Sequence, residues 1–486
     1  MKRAPTGIRS HEDVSMSEHS IPGLERWPRW VARLLGGGLA AAATAGLTAC
    51  AGSHETTMSS ELDRVAELRE SGDTAGGEEV SLDGTLASYV AVAMQRSPEL
   101  RASFERWRAS VLRISRRRRL PEPTLSYSYF LRSVETRVGP QRHKLSIRQA
   151  FPWPTRLSAG ADAASLSAQA AQRRFDGEAL ALQRRVTEAY YALWLIHRTH
   201  WIKLEQDQVL ESLATSVRAR VETGQASLAD LVQLQLRIER HHDHRAAHGE
   251  AARAASARLA AAVGLPPGSE TPTVEDVPAA GLPEEDEEAL RAAATEHPRV
   301  HAHDSLAEAS DASAEGEEAA RLPTFVLGLD WIETGPAGTP GMQDSGKDPL
   351  IVSMSVQLPI WFGSYTDAED AAHAEAAAHR ADGEAARQAA LAELEVALSD
   401  LRDSERRIRL FEGTLIPQSE TVYASVLGGY HTASASVSQL LLAVQDVLEL
   451  QELLARAQAE HAAAWARLEH IVGRPVSRRE MTDDRP

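Results

Sequence analysis

Four histidines crowd one short stretch of this 486-residue chain: His241, His242, His244 and His248. On a helix, His241, His244 and His248 fall three and four residues apart on one face, the spacing at which imidazoles can share a divalent cation. A solvated polar face uses the same spacing, so the three are candidate metal ligands and no more. The only cysteine is Cys50, which rules out a disulfide within the chain. No other chemistry-bearing pattern stands in the sequence. There is no G-x-S-x-G, no H-E-x-x-H and no phosphate-binding glycine loop. The expected catalytic set is therefore empty, and no cofactor is expected.

Cys50 gains meaning from what precedes it. Lys2, Arg3, Arg9, Arg26, Arg29 and Arg33 make the leading region basic, and Leu34 to Ala49 carries no charge. That apolar run is too short for an ordinary transmembrane helix and fits a cleaved export signal, with Met1 or Met16 as its start. The ending Leu47-Thr48-Ala49-Cys50 resembles the bacterial lipoprotein signal, in which the cysteine becomes the lipidated, palmitate-bearing first residue. Several acyl chains on one residue anchor firmly where a single chain is marginal. Ala51 follows, and by the same resemblance this favours the outer membrane over the inner one. From Cys50 onward the chain carries 46 basic and 65 acidic residues, a net charge of −19. Such an acidic exported chain argues against nucleic acid as a partner.

The rest of the chain reads as one unit written twice. Val221-Glu222-Thr223-Gly224-Gln225-Ala226-Ser227-Leu228-Ala229-Asp230-Leu231 matches Tyr430-His431-Thr432-Ala433-Ser434-Ala435-Ser436-Val437-Ser438-Gln439-Leu440, 209 residues later. Ser97-Pro98-Glu99-Leu100 matches His297-Pro298-Arg299-Val300 at a shift of 200, and Leu120-Pro121 matches Leu322-Pro323 at 202. Trp153 matches Trp361 at 208, and Val263-Gly264-Leu265-Pro266 matches Val472-Gly473-Arg474-Pro475 at 209. The shift grows in chain order, as an internal duplication with one longer loop requires.

Each unit predicts a helix, two strands and a long helical hairpin. Leu125, Tyr127, Tyr129 and Leu131 alternate with polar residues, and Leu145, Ile147 and Phe151 do so next. In the second unit the faces are Phe325, Leu327, Leu329, Trp331 and then Val352, Met354, Val356, Leu358. Residues 155–222 contain no proline, and as one helix they span about 100 Å. Asp367 to Gly429 predicts the matching rod, and Val437, Leu440, Leu441, Val444, Val447, Leu448, Gln451 and Leu454 predict a coiled-coil-like seam on its return helix. The twin stretches are the hairpin tips: Thr223, Gly224 and Ser227 in one, Thr432, Ala433 and Ser436 in the other.

The expected organisation is a signal peptide over 1–49, a lipid tether over 50–79, a first repeat over 80–265, a linker over 266–286, a second repeat over 287–475 and a polar tail over 476–486. The strands are expected at about 123–133, 143–151, 324–333 and 350–358. Strands of this length with one apolar face suit an outer membrane. Four cannot close a barrel, and open edges are not tolerated in lipid, so copies of the chain must share one. Three copies give twelve strands.

This order resembles the TolC-type outer membrane factors over roughly residues 80–475. The pieces that carry the likeness are Ser97-Pro98-Glu99-Leu100, Leu120-Pro121, Phe151-Pro152-Trp153-Pro154 and the two tips. The resemblance implies a mainly α protein with a small transmembrane β part, assembled as a homotrimer with a 12-stranded β-barrel and a periplasmic α-barrel. It implies no enzyme but a passive exit duct for small molecules or metal ions, working with a periplasmic adaptor and an inner-membrane pump of the RND type. Cys50 favours this efflux branch over a type I secretion duct. The alternatives are a periplasmic adaptor, which would carry one central hairpin flanked by β-rich domains and not two units in series, and a structural coiled-coil lipoprotein without a pore. The resemblance also implies a periplasmic gate: Asp230 and Tyr430 hydrogen-bonded as a latch, with Gln439 where an acidic ring residue can occur and Ala435 where a latch arginine can occur. Trp153 and Trp361 are expected at an aromatic rim beside the membrane.

Overall fold

A computed structural model describes residues 58–67, 81–266, 268–269, 272–432 and 434–479. The export signal, Cys50 and Ala433 lie outside these residues, as does most of the expected tether. Within the tether stretch, residues 58–67 are helical, and Leu62 packs on Phe104, Trp107 and Val111.

The first repeat opens with α1 (Leu86–Arg96), N-capped by Thr85. Ser97 ends α1, donating its N–H to Ala93 O, and starts α2 (Pro98–Arg118) by accepting from Leu100 N at 3.3 Å. Pro98 costs nothing there because the first-turn N–H groups have no helical acceptor. Strands β1 (Thr124–Thr136) and β2 (Gly139–Phe151) follow. They run further towards their turn than alternation predicts. Gly139 takes a φ of 138°, so a two-residue turn suffices and Gly139-Pro140 begin the strand instead of forming a loop. Helix α3 (Pro154–Glu222) is one unbroken 69-residue rod, and α4 (Leu228–Val263) returns to a left-handed Gly264 with φ 82°.

The stretch between the repeats is stitched down. Tyr190 on α3 donates to Gly84 O and accepts from the N–H groups of Glu275 and Asp276, while Asp276 accepts from Leu86 N at the start of α1. Burial pushes the Tyr190 hydroxyl up to about 12, so it stays a donor. Within the stretch, β3 (Leu282–Pro283) pairs with β6 (Arg478–Arg479) from the end of the described chain.

The second repeat repeats the order: α5 (Glu287–Thr295), α6 (Pro298–Ala319), β4 (Thr324–Thr334), β5 (Leu350–Gln357), α7 (Phe362–Leu410), α8 (Ile416–His431) and α9 (Val437–Val472). The predicted single rod is here two helices. A π turn over Phe411–Leu415 separates α7 from α8, and Ile416 N–H reaches back to Phe411 O. Pro417 follows at once and has no N–H to continue an α ladder, which accounts for the local widening.

Among the described residues, five apolar clusters run along the helices, and three of them matter most here. Tyr89, Leu182, Val186 and Leu259 form one beside the linker; Leu394, Leu398, Trp465 and Leu468 form its counterpart in the second repeat; Ile202, Leu213, Val217, Tyr430 and Leu440 form one at the tips. Beside the second cluster, His297 N-caps α6 through Nδ1, and its ring lies 5.3 Å from that of His470 on α9. Burial, and then its neighbour His297, hold the His470 imidazole down to about 4. Burial, followed by Arg299, lowers His297 as well.

Candidate membrane sheet and hairpin tips

The four long strands form one antiparallel sheet in the order β1-β2-β4-β5. The two hairpins therefore join through a β2–β4 pair that crosses from one repeat to the other. Register places apolar residues in rows across the sheet: Tyr127, Leu145, Trp331, Leu350 in one row and Leu125, Ile147, Leu329, Val352 in the next. Phe151, Phe325 and Val356 form another. This face is open: Leu131 is 92% exposed and Val352 78%. The opposite face carries a buried polar row. Ser146 donates to Asp330, Lys144 pairs with Asp330 at 3.1 Å, and both Ser146 and Asp330 are 4% exposed. Gly328 on this face leaves room for Ser353, whose Oγ would lie 2.5 Å from an added Cβ. Apolar without and charged within is the pattern of a strand set between lipid and a watery lumen. No described helix is long and apolar enough to cross a membrane.

Trp153 and Trp361 stand where strands hand over to helices, as N-cap residues of α3 and α7. Trp361 is joined by exposed Leu358, Ile360 and Phe362, a greasy collar at the sheet's lower end.

The two tips have one geometry. In the first, Arg220 O accepts from Gln225 N and Ala226 N; in the second, Gly429 O accepts from Ser434 N and Ala435 N. Thr223 and Thr432 each turn their hydroxyl back onto the preceding helix. Ser227 and Ser436 each cap the return helix and close a capping box, with Asp230 and Gln439 as the reciprocal partners. At Gly224 φ is 73°, the left-handed conformation that glycine adopts freely.

The expected Asp230–Tyr430 hydrogen bond is not formed within the chain. Asp230 directs Oδ2 to the N–H and hydroxyl of its own cap, Ser227. Tyr430 instead lies 2% exposed in the tip cluster, its hydroxyl 3.2 Å from Ser216 Oγ. Arg220 lies over the Tyr430 ring, 4.0 Å from its centroid, and donates to Tyr430 O at 2.8 Å. Arg220 and Ser216 on α3 are thus the partners that sequence reasoning missed. The signal was present: Arg220 stands where the duplication has Gly429, and Tyr430 where it has Val221.

The histidine stretch on α4 does not gather three ligands. His241 turns inward, and its Nδ1 lies 2.6 Å from Asp207 on α3. Arg245 grips the same carboxylate at 2.8 Å, and His244 is exposed. A cation there would face Arg245, so a buried ion-pair cluster that fastens α4 to α3 is the better description.

Comparison with known proteins agrees with this geometry. Residues 289–474, the second repeat, match the family described as outer membrane efflux protein. None of the curated protein sequences matches the chain. The fold resembles the outer membrane protein VceC of Vibrio cholerae at 18% identity, with a TM-score of 0.65, covering 80% of this chain and 96% of that one. It resembles the CmeC outer membrane channel of Campylobacter jejuni at 12% identity and TM-score 0.63, covering 82% and 87%. The open state of the MtrE outer membrane channel of Neisseria gonorrhoeae compares at 19% identity and TM-score 0.63, covering 82% and 92%. The fold is that of an outer membrane channel protein. The resemblance read from the sequence, to the TolC-type outer membrane efflux proteins, holds.

Proposed function

We propose that the chain is the outer membrane exit duct of a tripartite efflux system, assembled from three copies. The observation that carries this reading is the four-stranded sheet. Its apolar rows need lipid, and among the described residues the outer edges of β1 and β5 pair with no further strand. An open edge in hydrocarbon costs several kcal/mol per unsatisfied group, so β5 of one copy pairs with β1 of the next until the sheet closes. The polar row of Lys144, Ser146 and Asp330 then lines the lumen. Transport is passive, and the driving energy comes from an inner-membrane pump of the RND type through a periplasmic adaptor that meets the hairpin tips. Cys50 carries the lipid anchor.

The decisive measurement is conductance of the purified protein across a planar bilayer, with its mass in detergent. A trimer with discrete conductance steps supports the duct. A monomer without conductance removes it. Mass spectrometry of the mature N-terminus tests Cys50 separately: an acylated cysteine is expected, and an unmodified thiol refutes the anchor.

At the tips, the latch we propose is Arg220 with Tyr430, not Asp230 with Tyr430. It ties the outgoing helix of one hairpin to the outgoing helix of the other inside one copy.

A further inference from the structure

We infer a divalent metal site on the second repeat, formed by His303 on α6 with His379 and Asp382 on α7. One ligand atom from each residue lies within 4.8 Å of the others. His379 and Asp382 are three residues apart, so they project from one helix face towards the neighbouring helix. Two imidazoles and one carboxylate suit a borderline first-row cation of the zinc or cobalt class, and rotation of the exposed Asp382 side chain would bring its oxygen into the sphere.

A second observation points to a ligand. Nδ1 of His303 and Nδ1 of His379 are both sealed from solvent and make no hydrogen bond. Such atoms are rare in a folded protein, because a buried polar atom without a partner is destabilising. That both occur in one three-residue cluster is what a ligand set needs.

The backbone is arranged to bring the pair together. Gly383 faces α6, and a Cβ there would lie 3.5 Å from His303 Cβ and 3.3 Å from Asp304 Oδ1. Neighbouring acids are already engaged: Arg387 holds Asp304 through both oxygens, at 2.8 and 2.7 Å. Among the described residues Asp382 has no such cation on it. The site is not a general property of the fold unit. At the duplication's shift of 200, His303 corresponds to Ser103, and at 208, His379 and Asp382 correspond to Ala171 and Arg174. A metal here would clamp α6 to α7 in one repeat only.

The test is titration of the detergent-solubilised full-length protein with Co²⁺, followed by its d–d absorption, and with Zn²⁺ by calorimetry. One saturable ion per chain is expected at this site. His303→Gln and His379→Gln should each weaken it at least a hundredfold, and Asp382→Asn about tenfold. His244→Gln together with His248→Gln should change nothing. If His303→Gln fails to assemble, His379→Gln and Asp382→Asn, the latter at an exposed position, decide alone. Binding that survives His379→Gln, or that follows His244 and His248, overturns the site. The readout is binding without transport, so it stands or falls independently of the duct.

Discussion

The two hairpin tips share the turn bonds onto Arg220 O and Gly429 O and onto Ala219 O and Gly428 O, and differ in what they touch. Arg220 and Gly429 occupy one position of the duplication, Val221 and Tyr430 the next, Asp230 and Gln439 a third. The first two differences fit each other. Where one tip has a large cation, the other has a glycine, and where one has valine, the other has the ring on which that cation lies. The third is neutral in geometry, because carboxylate and amide oxygens close the same capping box. Turn formation and tip-to-tip contact are therefore separate tasks, carried by separate residues. Duplication preserved the first and used the spare copy to build the second.

That separation can be broken in a graded way. The largest effect should come from the aromatic fillers unique to one repeat. Trp465→Ala, which empties a 1% exposed site in the second repeat, and Trp107→Ala, fully buried in the first, should each cost about 3–5 kcal/mol. Thermal unfolding in detergent reads this. Trp107→Phe should cost far less, since the Trp107 indole N–H has no partner to lose.

Arg220→Ala should come next, at about 1–3 kcal/mol, because it removes a charge-assisted hydrogen bond and a cation–π contact together. It should also raise single-channel conductance or opening frequency, whereas Asp230→Asn should leave both near the starting value. The reverse ranking would restore the Asp230–Tyr430 latch. Ser227→Ala and Ser436→Ala should each cost about 1 kcal/mol and match each other closely, as equivalent caps must. Unequal losses would show that the tips are not built alike. Tyr430→Phe should be smallest, for the ring and the carbonyl that hold Arg220 both remain.

The repeats also differ in acid sensitivity. His470 is held down to about 4, while an unfolded chain protonates histidine near its ordinary value. The unfolded state therefore binds more protons between those two values. Stability should be full above about pH 6.5, fall as pH drops towards about 4, and level off below. His470→Gln should flatten the fall in a pH series of unfolding midpoints. An unchanged slope would show that other groups govern it.

Much of this was legible from spacing alone. The shifts of 200 to 209, the alternating strands and the serine before each return helix predicted the repeats, the sheet faces and the turns. Periodicity says which face of an element is apolar. It does not say which element lies opposite, so the β2–β4 pair and the Arg220–Tyr430 contact stayed hidden. It also grouped His241 with His244 and His248 as candidate ligands, because helical spacing groups residues by face and not by which of them meets Asp207 across the interface. The break in the second rod was written in Pro417, but a proline in a first turn and a proline after a π turn look the same in a sequence. His303, His379 and Asp382 were missed since they come from two helices more than seventy residues apart.

The β2–β4 pair has one more consequence. It forms with the packing of α3 on α6. What holds the repeats together is therefore hydrogen bonding and shape, with the peptide link between α4 and α5 added on top. A gene cut at that link would yield two polypeptides that recognise each other. Two such halves would rebuild what one whole chain makes.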